Sequence, residues 1–163
     1  MPCAKLLDFL NEKMVEYEMV EHPKAYAAQD VALKAGVPGH AFAKSVLVNL
    51  DGEMAMAVIP AEHKVNFHVL RAVAGAQTIS LAVETEFVRR FPDCELGAMP
   101  PFGNLYGIRV FLDDHLSEAD TVSFNAGTHT EVITMAFGDF VGLVEPVVAG
   151  FTYRRLQEFK GQA

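Results

Sequence analysis

Apolar and polar residues alternate along the chain with two different periods, which predicts a mixture of helices and strands. Leu6, Leu7, Leu10 and Met14 recur at helical spacing among charged residues, so an amphipathic helix is predicted near the start of the chain. Further helices are predicted over residues 27–35, from Pro60 to about 74, over 84–91 with Phe87, Val88 and Phe91 directed inward, and over 139–144. Strands are predicted over residues 17–22, 43–50, 53–59, 78–82, 106–113, 121–124 and 131–137, followed by a tail from Pro146. This order is neither strict β-α-β alternation nor all-β, and it indicates an α+β domain with a mixed, mostly antiparallel sheet.

The clearest local signal is a hairpin that carries a lysine on its apolar face. Residues 43–50 and 53–59 flank the pair Asp51 and Gly52, which tolerates the left-handed dihedral angles of a tight turn. Lys44 is in phase with the apolar residues of its strand and therefore shares the face that should be buried. In a pocket, its ammonium group could hold an anionic or carbonyl group, or act as a base or Schiff-base nucleophile. The alternative, in which the side chain simply reaches the surface, stays equally open.

A second signal is the loop over residues 91–104. Two glycines, Gly97 and Gly103, bracket a rigid pair of prolines, so the backbone is expected to follow one fixed path. Met99 and Phe102 lie in the same segment, and an ordinary solvated loop has little reason to carry them. The loop is either the wall of a pocket or a stiff connection that packs its own side chains on the core.

His129 is the second candidate for chemistry, because it stands two residues after Gly127 in a short link between two predicted strands. An imidazole there could face a neighbouring pocket, although a loop histidine is more often a solvated polar residue. The separation of His63 from His68 does not match the i, i+4 placement of a helical zinc pair. No metal and no cofactor is expected.

The two cysteines, Cys3 and Cys94, are too few and too poorly spaced along the chain to predict a disulfide framework or a zinc site. A chain with so few cysteines is expected to function in a reducing compartment. Cys94 stands between Asp93 and Glu95, whose negative charges are expected to raise its pKa and to disfavour a thiolate nucleophile.

Length and composition narrow the class of protein. The chain has 163 residues, of which 51% are hydrophobic and 21% are charged, which is typical of one globular domain. A net charge of −8 argues against sequence-independent binding of duplex DNA, which depends on lysine and arginine at phosphates. Any contact with a nucleic acid should therefore be small or confined to one end of it. No signal-peptide pattern and no membrane-spanning apolar run is present, so the protein is predicted to be soluble and cytoplasmic, with no membrane partner.

Three short motifs, taken in order, carry a resemblance to a known family. They are the strand Phe-Ala-Lys-Ser-Val-Leu-Val around Lys44, the Gly-x-x-x-Pro sequence from Gly97 to Pro101, and Asn-Ala-Gly-Thr-His at 125–129. With the Asp51-Gly52 hairpin, they resemble the YbaK family, also called the prolyl-tRNA synthetase editing-domain family, over about residues 22 to 144. The resemblance implies a single domain over residues 1–163, with a curved, mixed sheet that forms a partial barrel surrounded by helices.

The resemblance also implies an activity and a set of site residues. Members of the family hydrolyse wrongly charged aminoacyl-tRNAs, so a trans-acting deacylase for small amino acids is expected, with Lys44 and His129 as catalytic residues. The residues expected to bind substrate are His22, Gly97, Ala98, Met99, Pro100, Pro101, Phe102 and Gly127. The expected partners are the acceptor end of mischarged tRNA and an aminoacyl-tRNA synthetase, with the protein a monomer or weak dimer. Two alternatives remain: a module that only binds aminoacyl-tRNA or a synthetase, and a hydrolase of other small acyl or aminoacyl esters.

Overall fold

The computed structural model describes residues 3–154, so Arg155 and Lys160 of the predicted tail lie outside the described residues. The described helices are α1 (Ala4–Glu12), α2 (Ala28–Ala35), α3 (Phe67–Ala74), α4 (Glu84–Arg90) and α5 (Phe137–Val144). The strands are β1 (Tyr17–Glu21), β2 (Ala43–Leu50), β3 (Glu53–Pro60), β4 (His63–Val65), β5 (Ile79–Leu81), β6 (Arg109–Asp113), β7 (Thr121–Asn125), β8 (Glu131–Ala136), β9 (Val147–Ala149) and β10 (Thr152–Arg154). None of these helices has both the length and the apolar character that crossing a membrane requires.

The strands form a mixed central sheet and two smaller sheets. The central sheet has the order β5-β2-β3-β6-β9, in which β2 is antiparallel to β3 and β5, while β6 is parallel to β3 and β9. An antiparallel sheet has the order β1-β8-β7, and β4 pairs with β10. An isolated parallel bridge between Phe42 and Ser123 joins the start of β2 to β7. The predicted α+β class with mixed, mostly antiparallel sheets is confirmed, and the sheets of the described residues do not close into a barrel.

The β2–β3 hairpin turns at Asp51 and Gly52, as predicted. Both residues have positive φ angles, 51° and 84°, which matches the right-handed twist of the two strands. The Asp51 carboxylate also accepts hydrogen bonds from the backbone N–H groups of Gln77 and Thr78, at 3.0 and 2.9 Å. The bond from the Thr78 N–H is the largest cause that lowers the pKa of Asp51. The turn is thereby tied to the segment that leads into β5.

Hydrophobic side chains pack on both faces of the central sheet. On one face, Ala43 and Leu47 join a cluster that includes residues of α1, α5 and the β1-β8-β7 sheet. On the other face, Val48 and Leu50 pack in a second cluster with Leu70 of α3. The face that Lys44 shares by alternation is therefore buried, as predicted. Two-sided packing explains why β3 is apolar at every position after Glu53.

The prediction of a helix beginning near Pro60 is wrong. Pro60 is the last residue of β3, and the chain turns at Ala61 and Glu62 and forms β4 before α3 begins. The side chain of Asn66 accepts a hydrogen bond from the N–H of Val69 at 3.2 Å and so caps the first turn of α3. The helix therefore begins at Phe67, because that is where a cap is available.

Three smaller expectations also fail. Met14 follows α1 instead of lying on it, with a φ of 56° and 88% of its side chain exposed. Val88 is not directed inward but is 53% exposed, since α4 is a short surface helix without a buried residue. The predicted tail from Pro146 contains β9 and β10, which pair with β6 and β4.

Candidate functional site

His129 lies in the loop that joins β7 to β8, and both its ring and its backbone are held from the loop at residues 95–97. Its Nε2–H donates to the carbonyl oxygen of Leu96 at 2.7 Å, and its backbone N–H donates to the Glu95 Oε1 at 2.7 Å. In a neutral imidazole the opposite nitrogen, Nδ1, then carries the lone pair. This atom is buried and has no hydrogen-bond partner within the described residues. The loop therefore fixes an oriented, unpartnered acceptor.

Two glycines with positive φ angles stand beside His129. Gly97 has a φ of +84°, and a Cβ built there would lie 3.6 Å from the His129 Cε1. Gly127 has a φ of +98°, and its carbonyl oxygen accepts the Glu95 N–H at 2.8 Å. In the part of the chain that the structure describes, the N–H groups of Gly97 and Gly127 donate to no protein acceptor. Donors without a protein partner are what the binding of a carbonyl oxygen or an oxyanion requires.

The segment at residues 22–26 covers this loop. The backbone N–H of His22 donates to the Thr130 carbonyl oxygen at 2.8 Å, and the N–H of Ala25 donates to the His129 carbonyl oxygen at 3.3 Å. The His22 Nδ1–H donates to the Pro23 carbonyl oxygen at 2.8 Å, which leaves its buried Nε2 without a partner in the described residues. The structure thus brings His22 and His129, both predicted from sequence, to one place.

Tyr26 is a residue of this region that the sequence analysis missed. Its ring centroid lies 4.6 Å from that of His129 with the planes tilted by 53°, and 64% of the residue is exposed. The Lys24 Nζ lies 5.6 Å from the centre of the Tyr26 ring. No periodicity marks Tyr26, because it belongs to an irregular segment. The only available signal was a lysine and an aromatic residue close together in a polar loop.

Lys44 is the second residue of β2, with its side chain half-buried and its Nζ 3.5 Å from the carbonyl oxygen of Ala61. It stands two residues after Phe42, whose bridge partner Ser123 stands two residues before Asn125. Because the two strands are parallel at this bridge, the chain runs from Phe42 to Lys44 in the same direction as it runs from Ser123 towards the loop at residues 126–130. The cluster around Ala61 also contains Ala25, whose N–H reaches the His129 carbonyl oxygen. Lys44 therefore approaches the same end of the molecule as His129.

The apolar side chains of the loop over residues 91–104, which was predicted to be a pocket wall or a stiff connection, lie either in the core or along a surface groove. The Phe102 ring is fully buried and packs in the core against the rings of Phe9, Phe124 and Phe140. Met99 lines an apolar groove of about 220 Å³, whose other lining residues are Phe87, Val88, Phe91, Pro92, Cys94 and Leu96. Ala98, Pro100 and Pro101 are buried as well. Gly97 is thus the predicted wall residue that lies against His129, while Phe102 supports the loop from within the core.

Two cysteines that are remote in sequence meet behind the loop at residues 126–130. A hydrogen bond with Cys94 lowers the pKa of Cys3 to about 7, against the opposing effect of burial. The same bond and burial raise the pKa of Cys94, so the expected direction for this thiol is confirmed. The main cause is Cys3 and not the flanking acidic residues, and the spacing along the sequence gave no sign of this contact.

Comparisons with known proteins identify one family. Residues 22–143 match the model of a family described as the aminoacyl-tRNA editing domain. The proline–tRNA ligase of Staphylococcus saprophyticus subsp. saprophyticus is 27% identical over 158 residues, an alignment that covers 87% of this chain and 27% of the ligase. That of Halalkalibacterium halodurans is 31% identical over 103 residues, which is 63% of this chain and 18% of the ligase. The chain therefore spans less than a third of the length of these curated relatives.

A solved structure has the same fold. It is described as a candidate trans-editing enzyme for prolyl tRNA synthetase, and it superposes with a TM-score of 0.81 over 93% of this chain and 96% of that one. The two sequences are 16% identical, so the likeness concerns the fold alone.

Proposed function

The chain belongs to the aminoacyl-tRNA editing domain family, and on this premise we propose that it acts in trans to hydrolyse the ester bond of tRNA wrongly charged with a small amino acid. The observation that carries the proposal is the oriented His129 Nδ1, which has no hydrogen-bond partner within the described residues, in a site where Gly97 lies against the imidazole and where the N–H groups of Gly97 and Gly127 donate to no described protein acceptor. An acceptor and donors in this arrangement suit an ester carbonyl that is attacked by water.

The aminoacyl ester is already activated, so the reaction needs positioning more than a strong nucleophile. The N–H groups of Gly97 and Gly127 hold the carbonyl oxygen and stabilise the negative charge that develops on it as water adds. His129 accepts a hydrogen bond at Nδ1 from the attacking water or from the substrate, while its Nε2–H stays on the Leu96 carbonyl. The bond between the carbonyl carbon and the ribose oxygen then breaks, and the ribose hydroxyl and the free amino acid leave. A neighbouring ribose hydroxyl of the tRNA assists in activating the water.

Lys44 supplies the positive charge that this reaction centre requires. Its ammonium group anchors the terminal adenosine or the phosphate that precedes it, as a point charge at the end of a half-buried side chain. The strand that places Lys44 is packed on both faces, so the backbone at this lysine is held by the core. This role accounts for a lysine on an apolar strand face.

Tyr26 offers a surface for the terminal base. Single-stranded nucleotides are commonly held by stacking on aromatic side chains near lysine or arginine. The Tyr26 ring is exposed on one side, rests on His129 on the other, and has Lys24 close by. A few such contacts at the acceptor end are compatible with a net charge of −8, because they do not require a broad basic face.

The test is deacylation of a panel of tRNAs charged with alanine, serine, cysteine or threonine, including tRNA for proline, alongside the corresponding free aminoacyl ethyl esters. We expect loss of ester from one or two tRNA species only. Lys44→Ala and His129→Ala should each lower the rate by about 100-fold or more. Lys13→Ala, which removes an exposed lysine far along the sequence from the site motifs, is the matched control and should leave the rate unchanged.

The other outcomes separate the alternatives. Binding of charged tRNA without turnover would identify a module that only captures it. Equal hydrolysis of free esters and charged tRNA would identify a general esterase. Wild-type deacylation by Lys44→Ala across the whole panel would remove Lys44 from the mechanism.

A further inference from the structure

Four polar side chains meet behind the candidate site, and they come from three separate segments of the chain. The Cys3 Sγ lies 2.9 Å from the Asp93 Oδ2 and 3.2 Å from the Tyr106 hydroxyl oxygen. The Cys94 Sγ lies 3.7 Å from the Asp93 Oδ1 and 3.5 Å from the same hydroxyl. The Tyr106 hydroxyl donates to the Asp93 Oδ1 at 3.0 Å. We call these four residues the Cys3–Cys94 cluster.

The donor atoms of this cluster have the spacing of a metal coordination sphere. One ligand atom each from Cys3, Asp93 and Cys94 all lie within 4.8 Å of one another. Tetrahedral zinc, with bonds of about 2.3 Å to sulfur and 2.1 Å to oxygen, places its ligand atoms about 3.6 to 3.8 Å apart. The Cys94 Sγ lies at this distance from the Asp93 Oδ1, at 3.7 Å, whereas the Cys3 Sγ lies 2.9 Å from the other carboxylate oxygen, Oδ2, so binding requires a small rearrangement of the Asp93 carboxylate.

We propose that Cys3, Cys94 and Asp93 bind a zinc ion, with water in the fourth position. Two thiolates and one carboxylate favour a soft, tetrahedral cation over magnesium or calcium, which prefer oxygen ligands. Binding releases the two thiol protons to solvent, so the bound ion and its three anionic ligands carry a net charge of −1. Tyr106 remains hydrogen-bonded to the Asp93 carboxylate and keeps it oriented toward the metal.

Two cationic side chains contact Tyr106, and a buried sulfur of the cluster adjoins an exposed carboxylate. The Lys5 Nζ lies 4.8 Å from the centre of the Tyr106 ring, and the Arg90 guanidinium donates to the Tyr106 carbonyl oxygen at 3.1 Å. Cys3 is 1% exposed, whereas Cys94 is half-buried and Asp93 is exposed. A cation can therefore enter from the side of Asp93 and become bound to a buried sulfur.

The cluster also touches the loop that holds His129. The Cys3 N–H donates to the Ala126 carbonyl oxygen at 2.7 Å, next to Gly127. Asp93 and Cys94 directly precede Glu95, whose N–H binds the Gly127 carbonyl oxygen. Zinc would thus tie the residue before α1 to the segment that fixes His129, and it would stabilise the fold and the site together.

A second group of potential ligands, formed by His63, Asp113 and His115, provides an internal control. Its ligand atoms are equally close, but the Asp113 carboxylate already accepts the backbone N–H groups of His115 and Phe151, at 3.3 and 3.0 Å. Asp113 therefore acts as a cap for the turn that follows β6. This group has no thiolate, so a metal bound there is distinguished by its spectrum.

The experiment is titration of the reduced, full-length protein with Co²⁺, followed by displacement with Zn²⁺. We expect a thiolate-to-cobalt charge-transfer band in the near ultraviolet and tetrahedral d–d bands in the visible, which reach an end point at one metal per chain. Cys94→Ser should weaken binding by at least about 100-fold, more than the loss of an outer hydrogen-bond partner costs. His115→Gln should retain both the bands and the affinity.

Several results would overturn the proposal. One is the absence of a charge-transfer band in the reduced wild type, which does not depend on whether any variant folds. Another is metal binding that survives Cys94→Ser but is lost in His115→Gln. A third is protein that is two hydrogens lighter by intact mass when purified without reductant and that takes up no metal once reduced, since the sulfurs would then serve as a disulfide pair.

Discussion

Replacing Gly127 with alanine is expected to lower the free energy of unfolding by about 2 to 5 kcal/mol. The φ of +98° disfavours an L side chain, and a positive φ costs about 1 to 2 kcal/mol. The added Cβ would also lie 2.7 Å from the Cys3 Cβ and 3.2 Å from the Cys3 nitrogen. These atoms cannot rotate away, so the backbone must shift, and overpacking of this kind costs about 1 to 3 kcal/mol.

Alanine variants of two other glycines distinguish the cost of a positive φ angle from the cost of steric crowding at Gly127. Gly36 has a φ of +74° with no atom within 4 Å of an added Cβ, so Gly36→Ala should show the strain alone, about 1 to 2 kcal/mol. Gly97→Ala should resemble it in stability, since its Cβ would meet His129 at 3.6 Å, an ordinary contact, but it should reduce deacylation. Urea unfolding of the three variants gives the comparison. If Gly127→Ala were no less stable than Gly36→Ala, the packing of Cys3 against this glycine would be refuted.

Four further substitutions test the site and the fold. Tyr26→Ala should raise the KM for charged tRNA several-fold while leaving free aminoacyl esters unaffected, and Tyr26→Phe should retain the wild-type KM; an unchanged KM in both would exclude stacking on this ring. Glu95→Ala removes the acceptor of the His129 backbone N–H, so kcat should fall with little change in KM, and equal kcat values would show that this bond does not position the ring. Burial, together with the positive charge of His115, lowers the pKa of His63 below its ordinary 6.5. As the pH falls, the unfolded chain therefore binds this proton before the folded protein does, so the free energy of unfolding should decrease below pH 6.5. His63→Gln should make this decrease smaller, which urea unfolding midpoints measured at a series of pH values would show. Asn66→Ala should cost about 1 kcal/mol in urea unfolding through loss of the α3 cap, whereas Asn66→Asp should cost little.

The elements that the sequence predicts well are those whose causes are local. The β2–β3 hairpin depends on two turn residues that accept positive φ angles, and those residues are adjacent in the chain. Strands β9 and β10 were not predicted, because each is three residues long and exists through pairing with β6 or β4. Their formation depends on a partner strand and not on their own alternation. For the same reason, the sequence after Pro60 does not distinguish a helix from the turn and short strand β4 that form there, because β4 depends on its pairing with β10.

In the site as well, some residues can be predicted from their residue type alone, whereas the roles of others depend on contacts between distant parts of the chain. His129, Gly97 and Gly127 are recognisable because a particular side chain or a positive φ angle is required at each position. Phe102 stands in the same motif, but its place among three core rings follows from packing that the sequence does not specify. The contacts of Cys3 cannot be predicted from the sequence, because its neighbours come from a segment about 90 residues away.

Glu95 shows most clearly why a motif alone does not describe this site. In the sequence it is only an acidic neighbour of Cys94, yet in the structure it holds both loops that carry the motif residues. Its carboxylate accepts the His129 N–H at 2.7 Å, its own N–H donates to the Gly127 carbonyl oxygen at 2.8 Å, and its carbonyl oxygen accepts the Ala98 N–H at 3.0 Å. One residue thus joins the segment of Gly97 to the carbonyl of Gly127 and to the backbone of His129, while the neighbouring Leu96 carbonyl orients the imidazole. Since a charged acceptor strengthens a hydrogen bond in a partly buried setting, the conformation of these loops is determined by Glu95 as much as by the glycines that permit it.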